Sequence, residues 1–118
     1  MACINVFNVH TATVTETSSG TAVAVPGDAL DAYGTIVVSS VTGTTPSFTA
    51  LIQHSADGVN DWVTVVTFTA ATAATRETKV LTTTSVPRLL PYVRASYTVS
   101  GTTPSASIVI NILYDRRA

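Results

Sequence analysis

A short motif occurs twice in this chain, and each copy is followed by a segment with an apolar residue at every second position. Residues 41–48 read Val-Thr-Gly-Thr-Thr-Pro-Ser-Phe, and residues 99–106 read Val-Ser-Gly-Thr-Thr-Pro-Ser-Ala. Glycine supplies backbone freedom and proline fixes φ, so Gly-Thr-Thr-Pro is typical of a turn. The two copies predict two β-hairpins of the same kind. Two copies are too few for a solenoid, which needs at least three repeats.

The composition favours β-structure along the whole chain. Hydrophobic residues make up 46% of the 118 residues and charged residues only 11%, whereas about 25% charged residues is usual for soluble domains. Val, Ile and Thr are abundant, and their branched Cβ atoms suit a pleated sheet better than a helix. This length predicts a single domain spanning residues 1–118.

Alternating segments separated by turn residues recur about every 10–12 residues, which is typical of a sandwich or barrel. The sequence therefore predicts an all-β fold, an antiparallel β-sandwich of jelly-roll or immunoglobulin-like type with about seven to nine strands. Residues 1–9 are predicted to be an N-terminal arm or an edge strand. Residues 28–33 could form one helical turn, capped by Asp28 and closed by Gly34. Strands are expected at residues 4–9, 21–25, 35–41, 47–54, 62–69, 76–83, 92–99 and 105–114.

The alternation also predicts which side chains face the core, because successive strand residues point to opposite faces. Three strands give a clear pattern in which apolar side chains recur at every second position. The predicted inward-facing residues are Phe48, Ala50, Ile52, Val93, Ala95, Tyr97, Val99, Ile108, Ile110 and Ile112.

The charge balance argues against some classes of partner. The formal net charge is −1, from six basic and seven acidic residues spread thinly along the chain. Such a surface has no field that would collect phosphates, so no nucleic-acid partner is expected. No apolar run approaches the length of about 20 residues that a bilayer requires, and no signal peptide is visible, so we expect a soluble protein made in a cytoplasm. Low charge suits a subunit packed against others, although a small domain with few charges is the plainer alternative.

No constellation of catalytic or metal-binding residues is visible in the sequence. His10 and His54 are the only histidines and Cys3 is the only cysteine, whereas nucleophilic catalysis and zinc sites both need three converging groups. His54 is expected at a strand end in a surface hydrogen-bonding role. The sequence therefore predicts no catalytic, cofactor-binding or metal-binding residues, no cofactor and no enzyme activity.

Two further segments have both a structural and a functional interpretation. Asp57, Asn60 and Asp61 are explained by turn chemistry around Asp57-Gly58, although their oxygens could in principle surround Ca²⁺. Trp62 is expected to anchor the core. Its alternative is an exposed carbohydrate-stacking residue, which Tyr92, Tyr97 and Tyr114 could join.

Two longer segments carry a resemblance to a known group of proteins. Residues 48–62 read Phe-Thr-Ala-Leu-Ile-Gln-His-Ser-Ala-Asp-Gly-Val-Asn-Asp-Trp, and residues 92–105 read Tyr-Val-Arg-Ala-Ser-Tyr-Thr-Val-Ser-Gly-Thr-Thr-Pro-Ser. Together they resemble small β-sandwich virion structural proteins of tailed bacteriophages, of the head decoration or cement type. The resemblance covers roughly residues 34–113. It implies no enzyme activity and transfers no catalytic residue.

The resemblance implies a capsid decoration (cement) protein at the capsid surface of a virion, synthesised in the host cytoplasm. Such a protein would bind and stabilise the lattice of the major capsid protein, as a homo-oligomer and without nucleic acid or membrane as partners. Residues 1–9 could add a strand to the open sheet edge of a neighbour. Two alternatives stay open at this point, a receptor- or glycan-binding module of a tail or fibre and a neck or tail adaptor.

Overall fold

The computed structural model describes residues 2–25, 29–81 and 89–117. Within these ranges the chain forms antiparallel β-strands, and no helix has the length and hydropathy that crossing a membrane requires. The strands are β1 (Ala2–Val14), β2 (Ser18–Ser19), β3 (Val23–Ala24), β4 (Ala29–Ser55), β5 (Val63–Thr67), β6 (Thr75–Val80) and β7 (Tyr92–Arg117).

Two very long strands, β4 and β7, pair with each other along almost their whole length. They contain 27 and 26 residues, and a straight strand of this length would extend about 85–90 Å at roughly 3.3 Å per residue. The longest dimension of the molecule is only 47 Å. Both strands must therefore bend sharply, which divides β4 into arms at residues 29–39 and 47–55 and β7 into arms at residues 92–100 and 105–117.

The bends lie at the two Gly-Thr-Thr-Pro segments, so the prediction of two separate hairpins is wrong. The segments lie beside each other in the ladder, where Thr44 pairs with Thr102 and Ser47 pairs with Ser100. Register shifts interrupt the ladder on both sides of Thr44. Each segment therefore redirects a continuous strand instead of reversing the chain. The two copies of the repeat contact each other where the two strands bend, and we call this contact the crossing.

Glycine is required at this crossing for two reasons. Gly43 and Gly101 have φ of +114° and +110°, a region that side chains disfavour. A Cβ at Gly43 would lie 2.9 Å from the carbonyl oxygen of Thr103, and one at Gly101 would lie 2.7 Å from that of Thr45. Each glycine therefore lets the backbone of the other segment approach closely, and the two contacts are related by a local pseudo-two-fold axis.

Because both long strands bend, the single hydrogen-bonded sheet folds into two layers. The first layer contains, in order, β1, the second arm of β7, the first arm of β4 and β6. The second layer contains β2 with β3, the first arm of β7, the second arm of β4 and β5. The segments can be numbered along the chain from 1 to 8, with β2 and β3 counted as one segment and each arm of β4 and β7 counted as its own. The strand order is then 1-8-3-6 in the first layer and 2-7-4-5 in the second layer. This is the jelly-roll arrangement, and it confirms the predicted antiparallel β-sandwich.

The core fills the space between the layers, with the side chains that the alternation predicted. Of the predicted inward-facing residues, all are buried except Val99, which is half-buried and packs against the core. The layers are in direct contact at Gly34, where a Cβ would lie 2.8 Å from Cδ1 of Ile52. These two residues belong to opposite arms of β4.

Three local expectations need correction or qualification. Residues 29–33 belong to β4, so the predicted helical turn is wrong over these residues, and Asp28 lies outside the described residues. Gly34 pairs with Ile112 and Lys79 instead of closing a helix, because pairing on both sides favours the extended backbone. The strand expected at residues 76–83 is observed as Thr75–Val80, and residues 82–83 lie outside the described part.

Candidate functional site

The histidine of β1 has a structural partner in the opposite layer. His10 is half-buried, and its Nδ1 lies 2.6 Å from the hydroxyl oxygen of Tyr97. Tyr97 is 1% exposed, and burial raises the pKa of its phenol well above the ordinary value. The phenol therefore stays neutral, and the hydrogen bond between His10 and Tyr97 connects β1 to the first arm of β7.

His54 is buried, so its predicted surface position is wrong although its hydrogen-bonding role is observed. Only 6% of the side chain is exposed. Its Nδ1 accepts a hydrogen bond of 3.2 Å from the backbone N–H of Leu90, which places the proton of the neutral ring on Nε2. Burial lowers the pKa of this imidazole. The side chain thus connects the end of β4 to the segment before β7.

The stability of the fold should fall as the pH is lowered through the titration of His54. The folded pKa lies below the unfolded value of about 6.5, so the unfolded chain binds more protons between the two values. The free energy of unfolding therefore has its full value above pH 6.5. It decreases as the pH falls below 6.5, by at most about 1.4 kcal/mol per pH unit for one proton. Urea unfolding between pH 7 and pH 5 measures this slope.

His54→Asn is the matched variant for this measurement, because an amide oxygen can accept the Leu90 hydrogen bond without titrating. We expect a lower but nearly pH-independent free energy of unfolding between pH 7 and pH 5. Hydrogen bonds lower the pKa of Asp57 and of Glu77, so these carboxylates titrate below this window. An unchanged slope in His54→Asn would show that another group is responsible.

The loop between β4 and β5 is organised as a turn by Ser55 and Asp57. The hydroxyl of Ser55 is fully buried and lies 2.6 Å from the carbonyl oxygen of Asn60, to which it donates. One oxygen of Asp57 accepts hydrogen bonds of 2.9 Å from the backbone N–H groups of Asn60 and Val59. These backbone hydrogen bonds lower the pKa of Asp57. Turn chemistry therefore accounts for this carboxylate.

A metal site would require several His, Cys, Asp or Glu side chains close together. No group of three or more His, Cys, Asp or Glu side chains with suitable geometry occurs in the described part of the chain. Asp61 follows the turn with φ of +56°, and Cys3 lies in β1 opposite Arg116.

Trp62 lies outside the hydrophobic core, so its predicted role as a core anchor is wrong. It is half-buried, and its Nε1 donates a hydrogen bond of 3.3 Å to the carbonyl oxygen of Val59. The guanidinium of Arg94 lies 4.3 Å from the ring centroid, a cation–π distance. Tyr97 and Tyr114 are buried in the core. Neither tyrosine can therefore join Trp62 in an exposed aromatic platform.

The two outermost strands of the first layer differ in charge. β6 carries Arg76, Glu77 and Lys79, and both carboxylate oxygens of Glu77 accept hydrogen bonds of 2.7 Å from Thr69. β1 contains 13 residues without any Asp, Glu, Lys or Arg, and among the described strands it pairs with β7 alone. Charged residues protect sheet edges from adding foreign strands. The edge of β1 therefore has less of this protection than the edge of β6.

The outer face of the first layer carries a row of apolar side chains that crosses all four strands. Val6 pairs with Leu113, Leu113 pairs with Tyr33, and Tyr33 pairs with Val80. Val6, Tyr33 and Val80 are 60%, 45% and 52% exposed, and Leu113 in the middle is half-buried. We call these four residues the apolar stripe. On the second layer, the corresponding outer rows are mostly polar, for example Thr49 with Thr98 and Gln53 with Arg94.

The predicted inward position of Ile112 places its neighbour Leu113 on the outer face, but the stripe as a whole was not predicted from the sequence. Its four residues lie on four different strands that are distant from one another in the sequence. Only the pairing register brings them into one row. An additional signal, such as knowledge of which strands are neighbours, is needed to find such a surface.

The chain is similar to known proteins in its structure and not in its sequence. No model of a protein family matches the chain, and no curated protein matches it. Among solved structures, a chain in infectious bursal disease virus, Gx strain, matches 100% of this chain with a TM-score of 0.55 and 12% identity. A chain of the infectious bursal disease virus VP2 subviral particle matches 96% with a TM-score of 0.54 and 14% identity. A chain of the T13 particle of the same virus matches 97% with a TM-score of 0.50 and 16% identity.

These structural neighbours are viral capsid proteins. At such low identity the likeness concerns the fold alone. The present chain spans about a third of the length of each neighbour, 31–33%.

Proposed function

We propose that this chain is a virion structural protein without enzyme activity, and specifically a capsid decoration (cement) protein of a tailed bacteriophage. In this role it binds the lattice of the major capsid protein at the capsid surface and stabilises it, after synthesis in the host cytoplasm. The observation that carries the proposal is the jelly roll that matches viral capsid proteins along 96–100% of the chain. The resemblance of residues 48–62 and 92–105 to phage virion proteins supports the decoration role.

The chemistry of the described surface also supports a structural role. His10, His54 and Asp57 are engaged by Tyr97, Leu90 and the turn backbone respectively. Trp62 contacts Arg94 with one ring face, which leaves that face unavailable for stacking on a sugar. These contacts favour packing against protein over binding of a glycan.

The edge of β1 offers a docking site for a strand of the major capsid protein. The strand is long, carries no charge and has described neighbours on one side only. An extended segment can add to such an edge through main-chain hydrogen bonds. Alternating side chains of β1 then add specificity, and the exposed Thr11 and Thr13 flank this edge.

Binding to capsids tests the function directly. Parent-phage capsids assembled without this chain are mixed with the purified protein, and bound protein is measured after sedimentation. We expect saturable, stoichiometric binding and a higher temperature of capsid disruption. Thr13→Lys should weaken binding at least about tenfold, because lysine on an edge strand opposes strand addition.

Thr78→Lys is the matched control, since Thr78 is equally an exposed threonine of an outermost strand, but of β6. It should bind like the wild type. Failure of the wild-type chain to bind such capsids would exclude the decoration function. Equal binding of all three proteins would retain the function and exclude docking through β1.

A further inference from the structure

We propose that the outer face of the first layer is a homodimer interface, in which the apolar stripes of two copies pack against each other. This inference specifies the contact behind the proposed oligomeric state, and it does not depend on binding to capsids. The observation behind it is the pairing register, which aligns Val6, Leu113, Tyr33 and Val80 in one exposed row. The largest contiguous apolar patch on a protein surface is often a contact site for another protein.

Two rows on one side of the stripe are uncharged or nearly so, whereas the row on its other side contains Asp115, which pairs with Ile4 and Leu30. On the first of these sides, Asn8, Asn111, Thr35 and Thr78 form the next row, and Thr11, Val109, Val37 and Arg76 form the one after it. Within these three rows the only charged residue is Arg76. Two identical faces of this kind do not repel each other, whereas a strongly charged partner would find no complementary charge.

The order of residues within the rows makes the face self-complementary. A two-fold axis parallel to the strands, between β7 and β4, would exchange the two halves of every row. Val6 would then face Val80 of a second copy, and Leu113 would face Tyr33. The same operation sets amide opposite hydroxyl in the second row and places Arg76 opposite Thr11, not opposite another arginine. This match favours a second copy of the chain as the occupant.

The size of the face sets the expected affinity. Four strands about 4.8 Å apart and seven residues of about 3.3 Å each give roughly 400–450 Å² per copy. The total of roughly 850 Å² lies below the roughly 1,200–2,000 Å² of stable interfaces, in the range of weak and transient ones. We therefore expect a dimer that dissociates in a range of about 10–100 μM.

Sedimentation equilibrium of the full chain between about 5 and 500 μM tests the proposal. The wild type should approach twice the monomer mass of 12.3 kDa at the upper concentrations. Val6→Lys and Val80→Lys should each raise the dissociation constant at least about tenfold. Val63→Lys is the matched control, because Val63 is a valine 55% exposed on β5 in the second layer, and it should dimerise like the wild type.

A mixing experiment tests the proposed axis. Val6→Lys mixed with Val80→Glu should form a heterodimer, since the two introduced charges would face each other. Val6→Lys mixed with Val63→Glu should show no such charge-paired heterodimer, because Val63 lies outside the stripe, and the Val63→Glu chains should dimerise with each other as the wild type does. Circular dichroism of each variant establishes that it is folded.

A wild-type chain that remains monomeric at 500 μM would overturn the dimer, and capsid binding by that monomer would leave the proposed function intact. If the monomer binds capsids and Val6→Lys and Val80→Lys abolish this binding, the stripe belongs to the capsid contact and the dimer is excluded. Dimers of unchanged affinity in both stripe variants would exclude the stripe as the interface. Failure of the Lys–Glu mixture to associate would exclude the two-fold axis parallel to the strands.

Discussion

Replacing either glycine of the crossing should destabilise the protein strongly and to the same extent. Gly43→Ala and Gly101→Ala are each expected to lower the free energy of unfolding by about 3 kcal/mol or more. Each new alanine would have to adopt a positive φ, and its Cβ would also lie within 2.9 Å of backbone atoms of the other segment. Backbone cannot rotate away as a side chain can, so the two strands would have to separate at the crossing. Urea unfolding monitored by Trp62 fluorescence measures the effect.

Gly58→Ala separates the two causes. Gly58 also has a positive φ of +76°, but a Cβ there would meet the side chain of Tyr92 at 2.9 Å, and an aromatic ring at the surface can shift. We expect a loss of about 1–2 kcal/mol, the combined cost of the backbone conformation and of moving the Tyr92 ring, without separation of two backbone segments. If all three variants lose the same stability, the close approach of the two segments contributes nothing. If Gly43→Ala and Gly101→Ala differ by several kcal/mol, the crossing is not energetically symmetric.

The alternation of residues was sufficient to predict the fold class and nine of the 20 buried hydrophobic residues in the described part of the chain. Ile108, Ile110 and Ile112 are buried as expected, because a strand with one buried face must place its apolar residues at every second position. The hairpin prediction failed for a different physical reason. A Gly-Thr-Thr-Pro segment relaxes and redirects the backbone, but whether the chain reverses or only bends depends on its pairing partner. That partner is the other copy of the segment, which is distant in sequence.

The surface could be predicted less well than the core. Trp62 was expected in the core because large aromatic residues usually bury most of their area. Its side chain is instead half-buried at the surface, where the ring contacts the Arg94 guanidinium. The apolar stripe depends entirely on register. A shift of one residue in any of the four strands would move its member to the core face. No single segment of the sequence contains that information.

The second large effect is expected in the contact between the two layers. Ile52 is fully buried, and its Cδ1 fills the space that the missing side chain of Gly34 leaves on the facing arm of β4. Ile52→Ala should lower the free energy of unfolding by about 3 kcal/mol, because it removes buried methyl groups and leaves a cavity. Leu51→Ala is the control, since Leu51 is the half-buried neighbour on the outer face of the same strand. It should cost about 1 kcal/mol or less.

A double-mutant cycle with Gly34→Ala tests whether the arms of β4 pack face to face. Alone, Gly34→Ala should cost about 1–2 kcal/mol, because its Cβ would lie 2.8 Å from Cδ1 of Ile52. In the Ile52→Ala background the new methyl group enters the cavity instead. The double variant should therefore be more stable than the sum of the single effects predicts, by about 1 kcal/mol or more. Strict additivity of the two substitutions would contradict direct contact between the arms, and with it the folding of one continuous sheet into two layers.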